Sequence, residues 1–238
     1  MRTALTLMLV ACTTLAAGQE AAAQKTWSHW LVQLGSDNAA ARSEALEHLR
    51  SDSAALRDPN VKAGLVNLLD RENQVRLSAE DEGYAEYRSW LSDTVAKVMD
   101  WNNPHQVCIL ANSVDLPDQL ADHAKVTVPC LLQRLNNASA QSKGDIVAML
   151  IQALAKGKNE LDAAAIETVK RVILNALRDS NEDVKIPTVK ALERFGGADM
   201  IPALRVVAET DPDPAEHYAI RKWAAEAIEA IQKRARPQ

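Results

Sequence analysis

The sequence contains few of the residues that β-rich and loop-rich folds need. Its 238 residues include eight glycines, one phenylalanine, five tryptophans and three tyrosines. Segments in which β-branched or aromatic residues alternate with polar ones, the pattern of half-buried strands, are almost absent. Long stretches of Ala, Leu and Val at helical spacing are present instead, and Asp, Asn or Ser precedes most of them, as helix N-caps do. The composition therefore predicts an all-α chain.

An excess of basic residues and the motifs of common enzyme classes are also missing. The chain has 27 Lys and Arg against 32 Asp and Glu, which gives a formal net charge of −5 at pH 7. Because nucleic-acid binding depends on clustered Lys and Arg, this balance argues against nucleic acid as the main partner. No Walker loop, Rossmann glycine pattern, nucleophile elbow or H-E-x-x-H motif occurs. We therefore expect a non-enzymatic protein with no catalytic residue, no cofactor and no metal site.

The longest apolar run lies at the N-terminus, where Arg2 precedes "TALTLMLVACTTLAA" and small residues follow. This arrangement is typical of a secretory signal peptide, with cleavage after Ala23. We predict a signal peptide over 1–23, a mature domain over 24–238 and a periplasmic or secreted location. In the alternative, "LVAC" resembles a lipobox and Cys12 carries a lipid anchor. No later segment has the length and apolarity of a membrane span.

A repeated helical pattern runs through the rest of the chain. Residues 183–196 align with residues 219–232, and a basic residue followed by the same apolar positions recurs in three upstream segments. An apolar first helix precedes each of these segments, so each unit is predicted to be an antiparallel helix pair. Such pairs cannot bury their apolar faces singly, and we expect about five of them to stack into a solenoid. The predicted second helices lie close to 38–50, 83–99, 139–156, 182–195 and 216–234.

The repeat resembles the HEAT family, including the bacterial bilin-lyase-like (PBS-lyase-like) group of HEAT repeats. The resemblance is carried by "DVKIPTVKAL" at 183–192 and by "AIRKWAAEAIEAI" at 219–231. It implies an all-α superhelix of stacked helix pairs. An irregular insertion around 101–124, which contains two prolines, interrupts the pattern.

The resemblance also implies a structural role for charged residues that recur at fixed positions. In HEAT-like proteins, Asp residues in the turns contact Arg or Lys residues of neighbouring units and so form a ladder. Arg88 and Arg221 share the basic position with members of this set. The predicted ladder consists of Asp37, Arg42, Lys143, Asp179, Lys185 and Asp211.

Cys108 and Cys130 are the two cysteines that follow the predicted signal peptide. In an oxidising compartment they can form a disulfide. They can equally be free thiols buried as small apolar side chains. With His105 and His123 they also form a set of zinc-ligand types, although the spacing matches no standard zinc motif. The disulfide and the free thiols both remain open from the sequence, and zinc is the interpretation that the spacing favours least.

Two tryptophans stand out as candidates for partner contact. Arg88 and Trp90 have the same register in their helix as Arg221 and Trp223 have in the last one. Half-exposed tryptophans often anchor binding surfaces, so we predict that these four residues contact a protein or peptide partner. The chain is thus interpreted as an exported scaffold. The resemblance to the bilin-lyase-like group supplies the alternative, a protein that handles a bilin or another tetrapyrrole.

Overall fold

The computed structural model describes residues 27–36, 38–74, 82–113, 118–211 and 219–236. Every regular element in these ranges is helical and none is a β-strand, which confirms the predicted all-α fold. None of the described helices is long and apolar enough to cross a membrane. The chain divides into two units, Met1–Met99 and Asp100–Gln238.

The first unit contains two helix pairs. Its described helices are α1 (27–34), α2 (Ala39–Ser51), α3 (Pro59–Gln74) and α4 (Glu82–Val98). The Asn38 side chain accepts hydrogen bonds from the backbone N–H groups of the second and third residues of α2, which fixes the start of that helix. Helices α2 and α3 both pack on α4, and Leu46, Leu65 and Leu91 are fully buried there. Burial of each such leucine contributes about 1.5–3 kcal/mol to the free energy of unfolding.

Aromatic contacts hold α1 against the end of α2. The Trp27 indole N–H donates a 2.9 Å hydrogen bond to the Asp52 carboxylate, and the Trp30 ring stacks on His48 with centroids 4.2 Å apart. The hydrogen bond from Trp27 is the main reason that the pKa of Asp52 lies below its ordinary value of 3.8. These two contacts hold α1 and α2 together as a helix pair.

The described residues of the second unit form three further α-helix pairs, together with shorter helices. The pairs are α6 (Ala124–Leu135) with α7 (Ala140–Lys156), α8 (Ala163–Leu177) with α9 (Glu182–Phe195), and α10 (Ile201–Thr210) with α11 (Ala219–Ala235). The starts and ends of the five predicted second helices agree with α2, α4, α7, α9 and α11 to within three residues. Apolar periodicity and N-cap residues therefore located these helices correctly.

Helices α7, α9 and α11 of the second unit lie side by side, and α9 packs on both of the others. Gly144 of α7 makes this close approach possible, because a Cβ atom there would collide with the backbone carbonyl of Asp183 and lie 2.9 Å from Pro187 of α9. The starts of α7 and α9 are therefore adjacent, and the two helices run in the same direction. This arrangement of second helices is the one expected of stacked helix pairs.

The segment predicted as an irregular insertion contains regular structure. Helix α5 (Pro104–Ala111) packs on α6, and a 3₁₀ helix (Asp118–His123) packs on α7. Arg134 of α6 donates hydrogen bonds to the carbonyl groups of Ala111 and Ser113 at 2.5 and 2.8 Å, which ties the end of α5 to α6. The insertion is thus an added helical layer of the second unit.

Candidate functional site

One ion pair joins α9 to Asp211, the residue that ends α10. The ammonium group of Lys185 lies 2.5 Å from a carboxylate oxygen of Asp211, and each side chain is only 9% exposed. The backbone of Asp211 also ends α10, since its N–H bonds the carbonyl of Val207. This contact is of the kind that the HEAT resemblance implies, because it links the second helix of one pair to the turn within the next.

The other predicted ladder residues make different contacts in the described part of the chain. Arg42 donates to the carbonyl of Ser36 at 2.9 Å, within its own helix pair. The carboxylate of Asp179 accepts a hydrogen bond from the backbone N–H of Asn181 at 2.9 Å. Lys143 is half-buried and forms no ion pair with any described residue. Asp37 lies outside the described residues.

Two other charged residues at the predicted ladder positions, Asp179 and Arg221, bond backbone groups. The Asp179 carboxylate bonds the backbone two residues ahead, as Asx turns do, and so stabilises its own turn. Arg221 reaches back to the carbonyl groups of Ala208 and Glu209, at 3.0 and 3.4 Å, near the end of α10. Carbonyl groups at a helix C-terminus have no intrahelical partner, so they attract such cations. The Lys185–Asp211 pair is thus a contact of the expected Asp-to-Lys kind, while Asp179 and Arg221 bond nearby backbone groups.

Arg88 is buried, and its structural setting differs from the predicted partner contact. Its side chain donates a 2.9 Å hydrogen bond to the side-chain carbonyl of Asn73 in α3, and the residue is 3% exposed. A residue with so little accessible surface has no area to offer a partner. Arg88 therefore contributes to the packing of α3 against α4.

Each candidate tryptophan is half-exposed and carries a cation from the second helix of a preceding pair. The guanidinium carbon of Arg50, in α2, lies 4.7 Å from the centroid of the Trp90 ring in α4. The ammonium group of Lys190, in α9, lies 4.5 Å from the centroid of the Trp223 ring in α11. We call these two pairs the tryptophan patches. Both separations fall within the range of cation–π attraction, so each patch combines an aromatic surface with a positive charge.

The cysteines form a disulfide in the structure. The bond joins Cys108 of α5 to Cys130 of α6, with their Cα atoms 5.1 Å apart. His123 stacks on Trp101 with ring centroids 4.2 Å apart, and His105 is exposed near the start of α5. Among the described residues no group of three His, Cys, Asp or Glu side chains is arranged to hold a metal ion. The disulfide attaches the inserted helix α5 covalently to the repeat.

Among the cavities lined by described residues, two of about 260 Å³ each lie in the second unit. One is lined mainly by apolar residues of α7, α8 and the end of α9, with the Lys170–Asp199 ion pair at its edge. A hydrogen bond and charge attraction from the nearby Asp199 carboxylate raise the pKa of Lys170 above its ordinary value of 10.5. The other cavity lies beside the Lys185–Asp211 pair.

Neither the family models, nor the curated proteins, nor the solved structures with which the chain was compared give a match. The assignment of a function therefore depends on the contacts described above and on the sequence pattern.

Proposed function

We propose that this protein is an exported, non-enzymatic scaffold of HEAT-like helix pairs that binds a protein or peptide partner through its tryptophan patches. The observation that supports the proposal most is the repeated construction of these patches. In each unit a half-exposed tryptophan lies beneath a cation supplied by another second helix. The HEAT-like identity and export rest on the sequence pattern and on the N-terminal apolar run.

The chemistry of the patches favours a partner segment that contains both an apolar and an acidic side chain. A tryptophan offers a large rigid surface, and burying it against a partner excludes water from the contact. Arg50 and Lys190 each place a charged group beside an aromatic ring, where a partner carboxylate can reach it. Arg50 also pairs with Glu47 of its own helix at 2.8 Å, so an acidic partner group would share this guanidinium with Glu47.

The alternative function, handling of a bilin or another tetrapyrrole, would need a large apolar pocket. The two cavities described above have about 260 Å³ each, below the roughly 300–1,000 Å³ of usual ligand pockets. A tetrapyrrole has four linked rings and would need more space than either cavity provides. Absorption spectra of the purified protein mixed with bilin or haem test this alternative, because a bound pigment shifts its absorption bands.

A comparative affinity purification from the native host tests the proposed function. The bait proteins are the wild type, the Trp90→Ala and Trp223→Ala double variant, and Trp101→Ala as a matched control. Trp101 is also half-exposed, but it stacks on a histidine and has no part in the tryptophan patches. The proposal predicts a partner that the wild type and the control recover in equal amounts and the double variant loses. Equal recovery by all three baits would contradict it.

A further inference from the structure

The cavity beside Lys185 is lined by both apolar and charged residues. Its volume is about 260 Å³, and its apolar lining comes from α8 and α10 through Leu174, Leu177, Val206 and Val207. Val206 is 57% exposed, so the apolar wall continues onto the surface. The lining includes neither tryptophan of the patches. This cavity is therefore a distinct place for a ligand.

A buried ammonium group forms part of the lining of this cavity. Lys185 has three N–H donors, and one of them bonds Asp211. The Lys185 side chain is only 9% exposed, so water and salt screen its charge little. An acceptor group that enters the cavity can therefore approach this ammonium group beside Asp211.

Arg178 adds a second positive charge to the lining. It follows the last residue of α8, its side chain is exposed, and it makes no ion pair with any described residue. The ionised groups of the cavity are Lys185, Arg178 and Asp211, so the lining carries one net positive charge. An anionic group at this position gains hydrogen bonds from a guanidinium and an ammonium group, the strongest class of neutral-pH donors.

We propose that this cavity binds an aliphatic carboxylate, with the apolar body against the leucines and valines and the carboxylate between Lys185 and Arg178. The volume limits the body to a small group. A cavity of about 150 Å³ with apolar walls is large enough for benzene, so 260 Å³ accommodates a leucine-sized side chain together with its carboxylate. This proposal does not depend on the partner-binding function, since it uses other residues and a defined small ligand.

The test is a titration of the protein with N-acetyl-leucine and with N-acetyl-leucinamide, followed by the backbone amide signals in NMR spectra. The two probes share the apolar body and differ in the negative charge. We expect the acid to bind about ten-fold more tightly than the amide, and to shift signals from 174–178 and 203–211. Equal affinity of the two probes, or shifts confined to other residues, would overturn the proposal.

Charge variants locate the carboxylate within the cavity. Arg178→Met should weaken binding of N-acetyl-leucine by about five- to ten-fold, because a charge-assisted hydrogen bond is lost. The matched control is Arg171→Met, which removes the same charge from an exposed position of α8 outside the cavity lining. Equal loss in both variants would show a general effect of net charge and would refute the proposed site.

A paired substitution tests the role of the buried ammonium group without leaving a lone buried carboxylate. Lys185→Met combined with Asp211→Asn should fold, since a buried ion pair can be replaced by neutral residues at little cost. Its melting curve checks this directly. The folded double variant should no longer distinguish N-acetyl-leucine from N-acetyl-leucinamide, and a preserved preference for the acid would contradict the proposal.

A last comparison tests whether the ligand is a free small acid or the carboxyl terminus of a peptide chain. 4-Methylpentanoate represents a free small acid, and a short peptide that ends in leucine with a free carboxylate represents a chain terminus. Both have the chemistry that the cavity recognises, and the tighter one identifies the source. If neither displaces N-acetyl-leucine, the assignment of an aliphatic carboxylate is wrong.

Discussion

Removal of the Lys185 ammonium group should destabilise the second unit more than removal of any exposed lysine. In Lys185→Ala the Asp211 carboxylate loses a partner 2.5 Å away, while it stays in a position where its side chain is 9% exposed. Breaking a buried ion pair by deleting one member costs about 3–5 kcal/mol, because the remaining charge is left without compensation. Asp211 lies at a helix end with some access to water, so the lower limit, about 3 kcal/mol, is the expected loss.

Urea unfolding followed by circular dichroism measures this loss. The control is Lys222→Ala, whose ammonium group lies 3.7 Å from Glu226 on the surface of α11, with the lysine side chain 73% exposed. Exposed pairs of this spacing contribute only about 0.3–0.5 kcal/mol, so the two variants should differ by more than 2 kcal/mol. If Lys185→Ala unfolds at the same urea concentration as Lys222→Ala, the Lys185–Asp211 pair does not hold α9 to the end of α10.

Two further predictions concern the disulfide and the pH dependence of the first unit. Replacement of both Cys108 and Cys130 by serine should lower the free energy of unfolding by about 3 kcal/mol, since the bond closes a loop with a sequence separation of 22. Thermal melts of the wild type and the double variant, each with and without reductant, measure this loss. Equal melting temperatures of the oxidised wild type and the double variant would contradict it. Asp52 has a folded-state pKa below 3.8, so its contribution to stability is complete above that value and is lost as the pH falls through the folded-state pKa. Asp52→Asn should therefore destabilise the protein at pH 7 and have a smaller effect in strong acid, and a loss of stability that is the same at every pH would refute this.

The helices were predictable because each carries its signal locally. Asn181 precedes α9 and caps it through a hydrogen bond to the N–H of Asp183, and the buried Val184, Val189 and Leu192 follow at helical spacing. These features depend on neighbours in sequence and can be read without knowledge of the fold.

The partners of the candidate site residues were not predictable in the same way. Arg88 and Arg221 share one register position, yet Arg88 is 3% exposed and bonds Asn73, whereas Arg221 is exposed and bonds backbone carbonyl groups. Burial at such a position is decided by how neighbouring helices pack. The cation over each tryptophan likewise comes from another helix, at a sequence separation of more than thirty residues. The sequence pattern grouped each tryptophan with an arginine of its own helix, whereas in the structure the cation over each ring belongs to another helix.

The close packing of α7 on α9 was also not predictable from the sequence. Gly144 lies inside a helix, where glycine is unfavourable, and the sequence offers no reason for it. The reason is tertiary, since the carbonyl of Asp183 occupies the space that a side chain would need. Such a contact is visible only when both helices are in place.

The most direct test of the proposed scaffold is a binding titration of the partner recovered by affinity purification against three single variants, each with its own melting curve. Trp90→Ala and Trp223→Ala should each weaken binding by about 2 kcal/mol or more, which is roughly a thirty-fold rise in Kd, while Trp101→Ala leaves it unchanged. Both tryptophans are half-buried, so the two patch variants should lose some stability but remain folded, which their melting curves check. Loss of folding in step with loss of binding, or a Kd unaffected in both patch variants, would contradict the claim that the tryptophan patches bind the partner.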